Sequence, residues 1–180
     1  MRVTTLIDNR PAPQLTAEWG LAFWIEYQDK HILLDTGGGE SFARNAAALG
    51  IYLSRADFAV LSHAHWDHAD GLPAFFRRNL TAPLYLRQGC GEDCYDRTDR
   101  GWRYEGIRKG TLAEYADRIR FVSGPFSPAP GVFLLPHTTP GLAAKGKAGK
   151  MYRLRDGKYT PDDFSHEQSL VFQTDRGLII

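Results

Sequence analysis

His63, His65, Asp67 and His68 fall within six consecutive residues, in the stretch Leu61-Ser62-His63-Ala64-His65-Trp66-Asp67-His68-Ala69-Asp70-Gly71, directly after an apolar run. Three imidazoles and a carboxylate this close form a metal-binding set. Neutral imidazole suits zinc, iron or manganese, and carboxylate oxygen suits the harder of these ions. In an extended backbone alternate side chains share a face, so His63, His65 and Asp67 point one way and His68 the other. A chain that curls brings all four together and can serve two adjacent metals. The bland alternative is a polar loop whose histidines satisfy neighbouring backbone groups, which does not call for four such residues at these offsets.

Elements that deliver and flank this stretch are readable on either side. Residues 58–61 (Phe-Ala-Val-Leu) form a short buried strand with the histidines at its carboxyl end, and residues 72–80 read as the helix that follows. Upstream, residues 3–8 read as a strand, and 20–27 with 31–35 as a hairpin about Gln28-Asp29-Lys30. Gly37-Gly38-Gly39 then turns the chain into a helix over 40–49, stopped by Gly50. Residues 83–87, 118–122 and 132–135 are further strands. Residues 151–155 and 158–160 form a hairpin about Asp156-Gly157, and 169–174 turns at Asp175-Arg176-Gly177 into Leu178-Ile179-Ile180. Residues 88–110 show neither helical nor strand period and read as an excursion near the site mouth. Their aromatics Tyr95, Trp102 and Tyr104 pack onto the domain itself or offer a platform to substrate.

Four other groups have side chains able to do chemistry. His137 stands just beyond the 132–135 strand, where it can touch substrate or support a ligand. His166 stands immediately before the 169–174 strand. Lys145, Lys147 and Lys150 lie in a flexible basic loop, either solvated or placed to neutralise a phosphate or carboxylate of the substrate. Cys90 and Cys94 are the only cysteines, and a closed zinc site would need two more ligands beside them, so they read as free thiols.

A chain of 180 residues with 43% hydrophobic content supports one packed domain, residues 1–180, and a formal net charge of +1 argues against a dedicated nucleic-acid surface. No run reaches the ~18 apolar residues of a membrane span, and Met1-Arg2-Val3-Thr4-Thr5 lacks the order of a signal peptide, so the cytoplasm is the default. A small-molecule substrate is the expected partner, with no nucleic acid and no membrane.

His63-Ala64-His65-Trp66-Asp67-His68 resembles the His-x-His-x-Asp-His signature of the metallo-β-lactamase-fold hydrolases, and Ile32-Leu33-Leu34-Asp35-Thr36-Gly37 resembles that family's strand ending in Asp-Thr-Gly. The resemblance implies an αββα fold, two mixed sheets face to face with helices outside. It implies two divalent metal ions, zinc first with iron or manganese as alternatives. His63 and His65 would belong to one metal, Asp67 and His68 to the other, with His166 as the third histidine of the first site. Asp35 would orient a ligand histidine from behind, and His137 would stand second to the ligands. The implied activity is hydrolysis of a small ester, phosphoester or related substrate, in which bound metal lowers the pKa of water and Asp67 holds the nucleophile's proton. The competing reading is a non-catalytic metal-binding or ligand-sensing module, or an inactive fragment, on the same scaffold. Glu18-Trp19-Gly20-Leu21-Ala22-Phe23 and His166-Glu167-Gln168-Ser169-Leu170 look closest to the dihydropterin ribofuranosylaminobenzene phosphate synthase-like branch, with Trp19 where that branch carries a histidine. The family continues beyond the point reached at Ile180 with further ligands. The second half of the fold is therefore expected to be truncated, zinc binding by these 180 residues weak, and the open strand edge free to pair with a second copy.

Overall fold

The computed structural model describes all 180 residues, Met1 to Ile180. In chain order its strands are β1 (Arg2–Ile7), β2 (Ala22–Tyr27), β3 (Lys30–Leu34), β4 (Phe58–Val60), β5 (Leu84–Arg87), β6 (Cys94–Thr98) and β7 (Gly101–Tyr104). There follow β8 (Ile119–Val122), β9 (Phe126–Ala129), β10 (Val132–Pro136), β11 (Met151–Arg155), β12 (Lys158–Pro161), β13 (Gln168–Thr174) and β14 (Gly177–Ile179). The helices are α1 (Ser41–Ala48), α2 (Trp66–Ala69), α3 (Leu72–Arg78), α4 (Thr111–Glu114) and α5 (Leu142–Ala148). None is long and apolar enough to cross a membrane.

A six-stranded sheet in the order β1-β2-β3-β4-β5-β8 faces a four-stranded sheet in the order β14-β13-β10-β9. The pairs from β3 to β8 are parallel, and β4 at their centre is covered on both faces and reads as a continuous apolar run. Successive side chains go to opposite faces. Ile32, Phe58 and Val60 accordingly join Val132, Leu134, Leu170 and Phe172 between the sheets, while Leu33, Ala59 and Leu61 join Phe42 of α1 and Phe75 of α3 beneath the helices. Each fully buried aromatic or branched side chain of this kind contributes roughly 1.5–3 kcal/mol. Two facing sheets with α1 and α3 outside the first belong to the expected αββα fold, while α5 packs on β11 and β12 rather than on the second sheet.

Two sequence expectations are corrected here. Residues 88–110 are not structureless: β6 and β7 form a hairpin, and with β11 and β12 they make a third sheet in the order β12-β11-β6-β7. Its aromatics pack on one another, with Trp102 stacked on Tyr159 at 3.6 Å between ring centroids and Tyr95 edge-on to Tyr104 at 5.1 Å. The second correction concerns the basic segment, which is helix α5 rather than a flexible loop. A Cβ on Gly146 would lie 2.1 Å from the Asp162 carbonyl oxygen, so the missing side chain is what lets α5 close on the segment before His166.

Parallel pairing brings the carboxyl ends of β3, β4 and β5 to one edge of the first sheet, the place where such sheets gather ligands. Asp35 follows β3, Ser62 to His65 follow β4, and Gln88 follows β5. Gln168 at the head of β13 ties the second sheet to this edge. Its backbone N–H donates to the Ser62 carbonyl at 2.9 Å, and its buried side-chain amide donates to the Leu61 carbonyl at 2.9 Å.

Candidate metal centre

After β4 the chain runs extended to His65 (φ −96°, ψ 149°) and then winds into the single turn of α2. That change of backbone reverses the face on which Asp67 and His68 stand. The side chains of His63, Asp67 and His68 therefore converge, their ligand atoms within 4.8 Å of one another, whereas an extended run would have set His68 apart. The His63 ring centroid lies 4.1 Å from that of His68 and 4.7 Å from that of His65.

Asp35 organises two of the three rings. Its buried carboxylate accepts the Ser62 backbone N–H on Oδ1 at 2.7 Å, and the Ser62 hydroxyl and the His68 Nδ1 proton on Oδ2, each at 2.7 Å. A carboxylate only accepts, so His68 carries its proton on Nδ1. Ser62 has spent its one hydroxyl proton on Asp35, and so its Oγ accepts from His63 Nδ1 at 2.8 Å. Both rings are thereby fixed in the tautomer that leaves Nε2 with a free lone pair. His68 Nε2 lies 3.9 Å from Asp67 Oδ2.

Burial and neighbouring charges act differently on the three rings. Burial, followed by the neighbouring His68 and His65, holds His63 down to about 2. Burial and His166 hold His65 down to about 4, against the pull of Asp162 and Asp67. Burial also acts to lower His68, but the hydrogen bond and charge of Asp35 outweigh it and the group is raised. The Nε2 atoms of His63 and His68 converge beside the Asp67 carboxylate, a donor set that fits a divalent metal, with His68 the ring that must give up a proton first as metal binds.

The backbone beneath Asp67 is held by close approach. Leu21 N–H donates to the Asp67 carbonyl at 3.3 Å and Thr36 N–H to that of His68 at 2.8 Å. Gly20 sits at φ +137°, and a Cβ there would lie 2.1 Å from the Asp67 carbonyl oxygen. Gly20→Ala is therefore expected to cost at least ~2 kcal/mol of folding stability, from strained backbone and overpacking together. The midpoint of urea unfolding measures it, and an unchanged midpoint would refute the close-approach argument.

The remaining site residues are placed as follows. His166 is fully buried near His65, with ring centroids 5.4 Å apart, and both its ring nitrogens meet protein. Nδ1 accepts the Ala64 backbone N–H at 3.0 Å, and Nε2 faces Asp162 Oδ2 at 3.1 Å. His137 lies just past β10, paired through Nδ1 with Glu167 at 2.6 Å and near the Ser169 hydroxyl at 3.4 Å. Lys145 and Lys147 are exposed on α5, and Lys150 beyond it lies 3.9 Å from Asp99. Cys90 and Cys94 are free and buried, and burial pushes Cys90 up to about 12.

Sequence reasoning missed the buried Asp162 and Arg153 and the half-buried Asp93, which form a chain leading to His166, and it missed the cleft wall. A cleft of about 490 Å³ opens beside His65 and Asp67 and is walled by Trp19, Trp66, Arg103 and Glu105. The Trp66 indole N–H donates to Glu105 at 2.6 Å, and Arg103 bridges Glu105 and Asp96.

The profile of the metallo-beta-lactamase superfamily matches residues 18–146. The 7,8-dihydropterin-6-methyl-4-(beta-D-ribofuranosyl)-aminobenzene-5'-phosphate synthase of Methanocaldococcus jannaschii is 28% identical over 178 residues, covering 91% of this chain and 60% of the relative. Among solved structures, a metal-dependent hydrolase of the beta-lactamase superfamily superposes with TM-score 0.78 at 27% identity, covering 98% of this chain and 62% of that one. A quorum-quenching N-acyl homoserine lactone lactonase shares the fold at TM-score 0.56 and 20% identity, covering 88% of this chain and 57% of the other. The chain thus spans about three-fifths of the length of these relatives.

Proposed function

We propose, since this chain belongs to the metallo-beta-lactamase superfamily, that His63, His65, Asp67 and His68 hold divalent metal for the hydrolysis of a small ester, phosphoester or related substrate. The observation that carries the reading is the pair of tautomers fixed by Asp35 and Ser62, which aim the Nε2 lone pairs of His63 and His68 toward one place beside Asp67. Histidines that merely stabilised a loop would direct those nitrogens at protein donors.

Bound metal of this kind lowers the pKa of water toward ~7 and polarises the oxygen under attack. The chain's own part is distinct from that. Asp67 presents a carboxylate oxygen beside the reacting centre, where it can hold a proton of the attacking water. Asp35 keeps His68 oriented and, through Ser62, His63. Trp19 and Trp66 give the cleft beside His65 apolar walls, while Asp96, Arg103 and Glu105 set its polar rim. Zinc is the first expectation for the metal, with two ions bound, and a small molecule is the expected substrate.

Metal analysis after gel filtration in zinc separates hydrolase from the non-catalytic alternative. An enzyme-competent centre should retain close to two equivalents, and His65→Ala should lower both metal content and turnover of ester and phosphoester substrates. Retention of one ion or none would favour a sensing module or an inactive fragment, and an unchanged His65→Ala variant would sink the mechanism.

A further inference from the structure

His65, Cys94, Asp162 and His166 place their donor atoms within 4.8 Å of one another in the buried layer under the histidine loop. By residue type this is a four-ligand metal pocket. The hydrogen bonds argue otherwise. Because Ala64 N–H donates to His166 Nδ1, that nitrogen holds a lone pair, and the neutral ring's proton must lie on Nε2, where it is given to Asp162. Coordination through Nε2 would require losing that proton or breaking the bond to Ala64. Asp162 is likewise spoken for: its Oδ1 accepts the Phe164 N–H at 2.8 Å and lies 3.9 Å from the Arg153 guanidinium. Arg153 is itself buried and anchored, donating to Asp93 Oδ1 and to the Gly89 carbonyl at 2.8 Å each. A metal ion among these groups would sit beside a buried guanidinium already anchored on Asp93 and the Gly89 carbonyl, whose positive charge repels a cation. Burial also pushes the Cys94 thiol up, away from the thiolate a metal needs.

We infer that His166 is a positioning residue rather than a metal ligand: the chain Asp93–Arg153–Asp162–His166 anchors the Ala64 amide and so sets the two ligands that flank it, His63 and His65. The backbone packing has the same purpose. A Cβ on Gly89 would lie 2.5 Å from the Ser165 carbonyl oxygen, and one on Gly146 would lie 2.1 Å from that of Asp162, so the segment carrying Asp162 and His166 is gripped from two sides. The histidine loop is thus referenced to the third sheet through Arg153 of β11, and to the second sheet through Gln168. The inference rests on the metal reading of His63, His65, Asp67 and His68.

Imidazole nitrogen NMR on the 15N-labelled protein, without and with zinc, tests it. In the zinc-free protein His166 should show a bare Nδ1 and a protonated Nε2, the reverse of His63 and His68. Zinc should shift the nitrogens of His63, His65 and His68 and leave those of His166 in place. A zinc-induced shift at His166 Nε2, or a proton on its Nδ1 before zinc, overturns the inference. Zinc that shifts none of the four histidines sinks the metal reading instead, and the tautomer alone then decides the positioning role. Calorimetric zinc titration adds a second arm. His166→Ala should weaken binding about tenfold or more. His166→Asn, whose Oδ1 stands where Nδ1 stood and accepts from Ala64, should restore most of the affinity although it offers no imidazole. Equal losses in the two variants would overturn the positioning role, and should His166→Ala fail to fold, His166→Asn with the NMR arm still decides.

Discussion

Replacing Asp35 by Asn should weaken zinc binding by about ten- to a hundredfold, the range found when a ligand's supporting carboxylate is lost. Asp35 accepts three hydrogen bonds, two from Ser62 and one from His68, while only 4% exposed. Asn offers one acceptor oxygen in place of two and adds an N–H2 that must find an acceptor, so at least one of the three donors is left unpaired in a buried place. The two rings it orients lose their fixed tautomers together, which is why one substitution should act on both Nε2 donors. Asp35 also sits at φ +59°, a left-handed backbone that Asn tolerates better than most residues, so the variant isolates the side chain from the turn. Asp35→Ala should cost more affinity, and stability besides, because it strands all three donors and is strained at that φ. Calorimetric titration and a urea melt of each variant separate the two effects. If Asp35→Asn bound zinc as tightly as the parent, the tautomer argument for the whole centre would be wrong.

The histidine loop stood out because its signal is local: residue types at fixed offsets after an apolar strand. Asp35 was legible only through the Asp-Thr-Gly resemblance, since 27 residues separate it from Ser62. The hairpin of β11 and β12 announced itself at Asp156-Gly157, both with positive φ. The third sheet did not. Its strands are rich in Asp, Arg and Thr, and β6 finds its second partner in β11, more than fifty residues on. Lys145-Gly146-Lys147 looked flexible because glycine usually marks freedom, whereas here it marks a contact too tight for a side chain. His166 was noticed, but its part in the structure was hidden. The atom it holds belongs to Ala64, 102 residues away, and no pattern in either segment points to the other. The split of His63 with His65 and Asp67 with His68 came from the family resemblance alone; the turn of α2 brings donor atoms of His63, Asp67 and His68 within 4.8 Å of one another, and the His65 ring centroid stays 4.7 Å from that of His63.

The metal-free protein should lose stability steeply below neutral pH. His63 and His65 ionise near 6.5 in the unfolded chain but are held to about 2 and about 4 when folded. Between pH 6.5 and 4 the unfolded state therefore takes up protons that the folded state refuses, and stability falls as pH falls. Two such groups give a slope approaching ~2.7 kcal/mol per pH unit near pH 5, which amounts to a few kcal/mol between pH 7 and pH 5. That is a large share of the ~5–15 kcal/mol typical of a domain. His68 acts with the opposite sign. Its folded pKa is raised, so its contribution is complete below about 6.5 and fades as pH rises through the folded value. Proton competition at the metal centre should accordingly begin at His68, the ligand that protonates first on acidification. Urea midpoints of metal-free protein at pH 7, 6 and 5 measure the slope, and the same series in the double variant His63→Gln, His65→Gln should be markedly flatter. In saturating zinc, which binds the folded state only, the parent's midpoints should rise most at pH 7 and lose that gain as His68 takes up its proton. A parent protein whose metal-free stability stayed level from pH 7 to pH 5 would show that these two imidazoles are not held neutral by burial, and would remove the electrostatic case for a preformed metal centre.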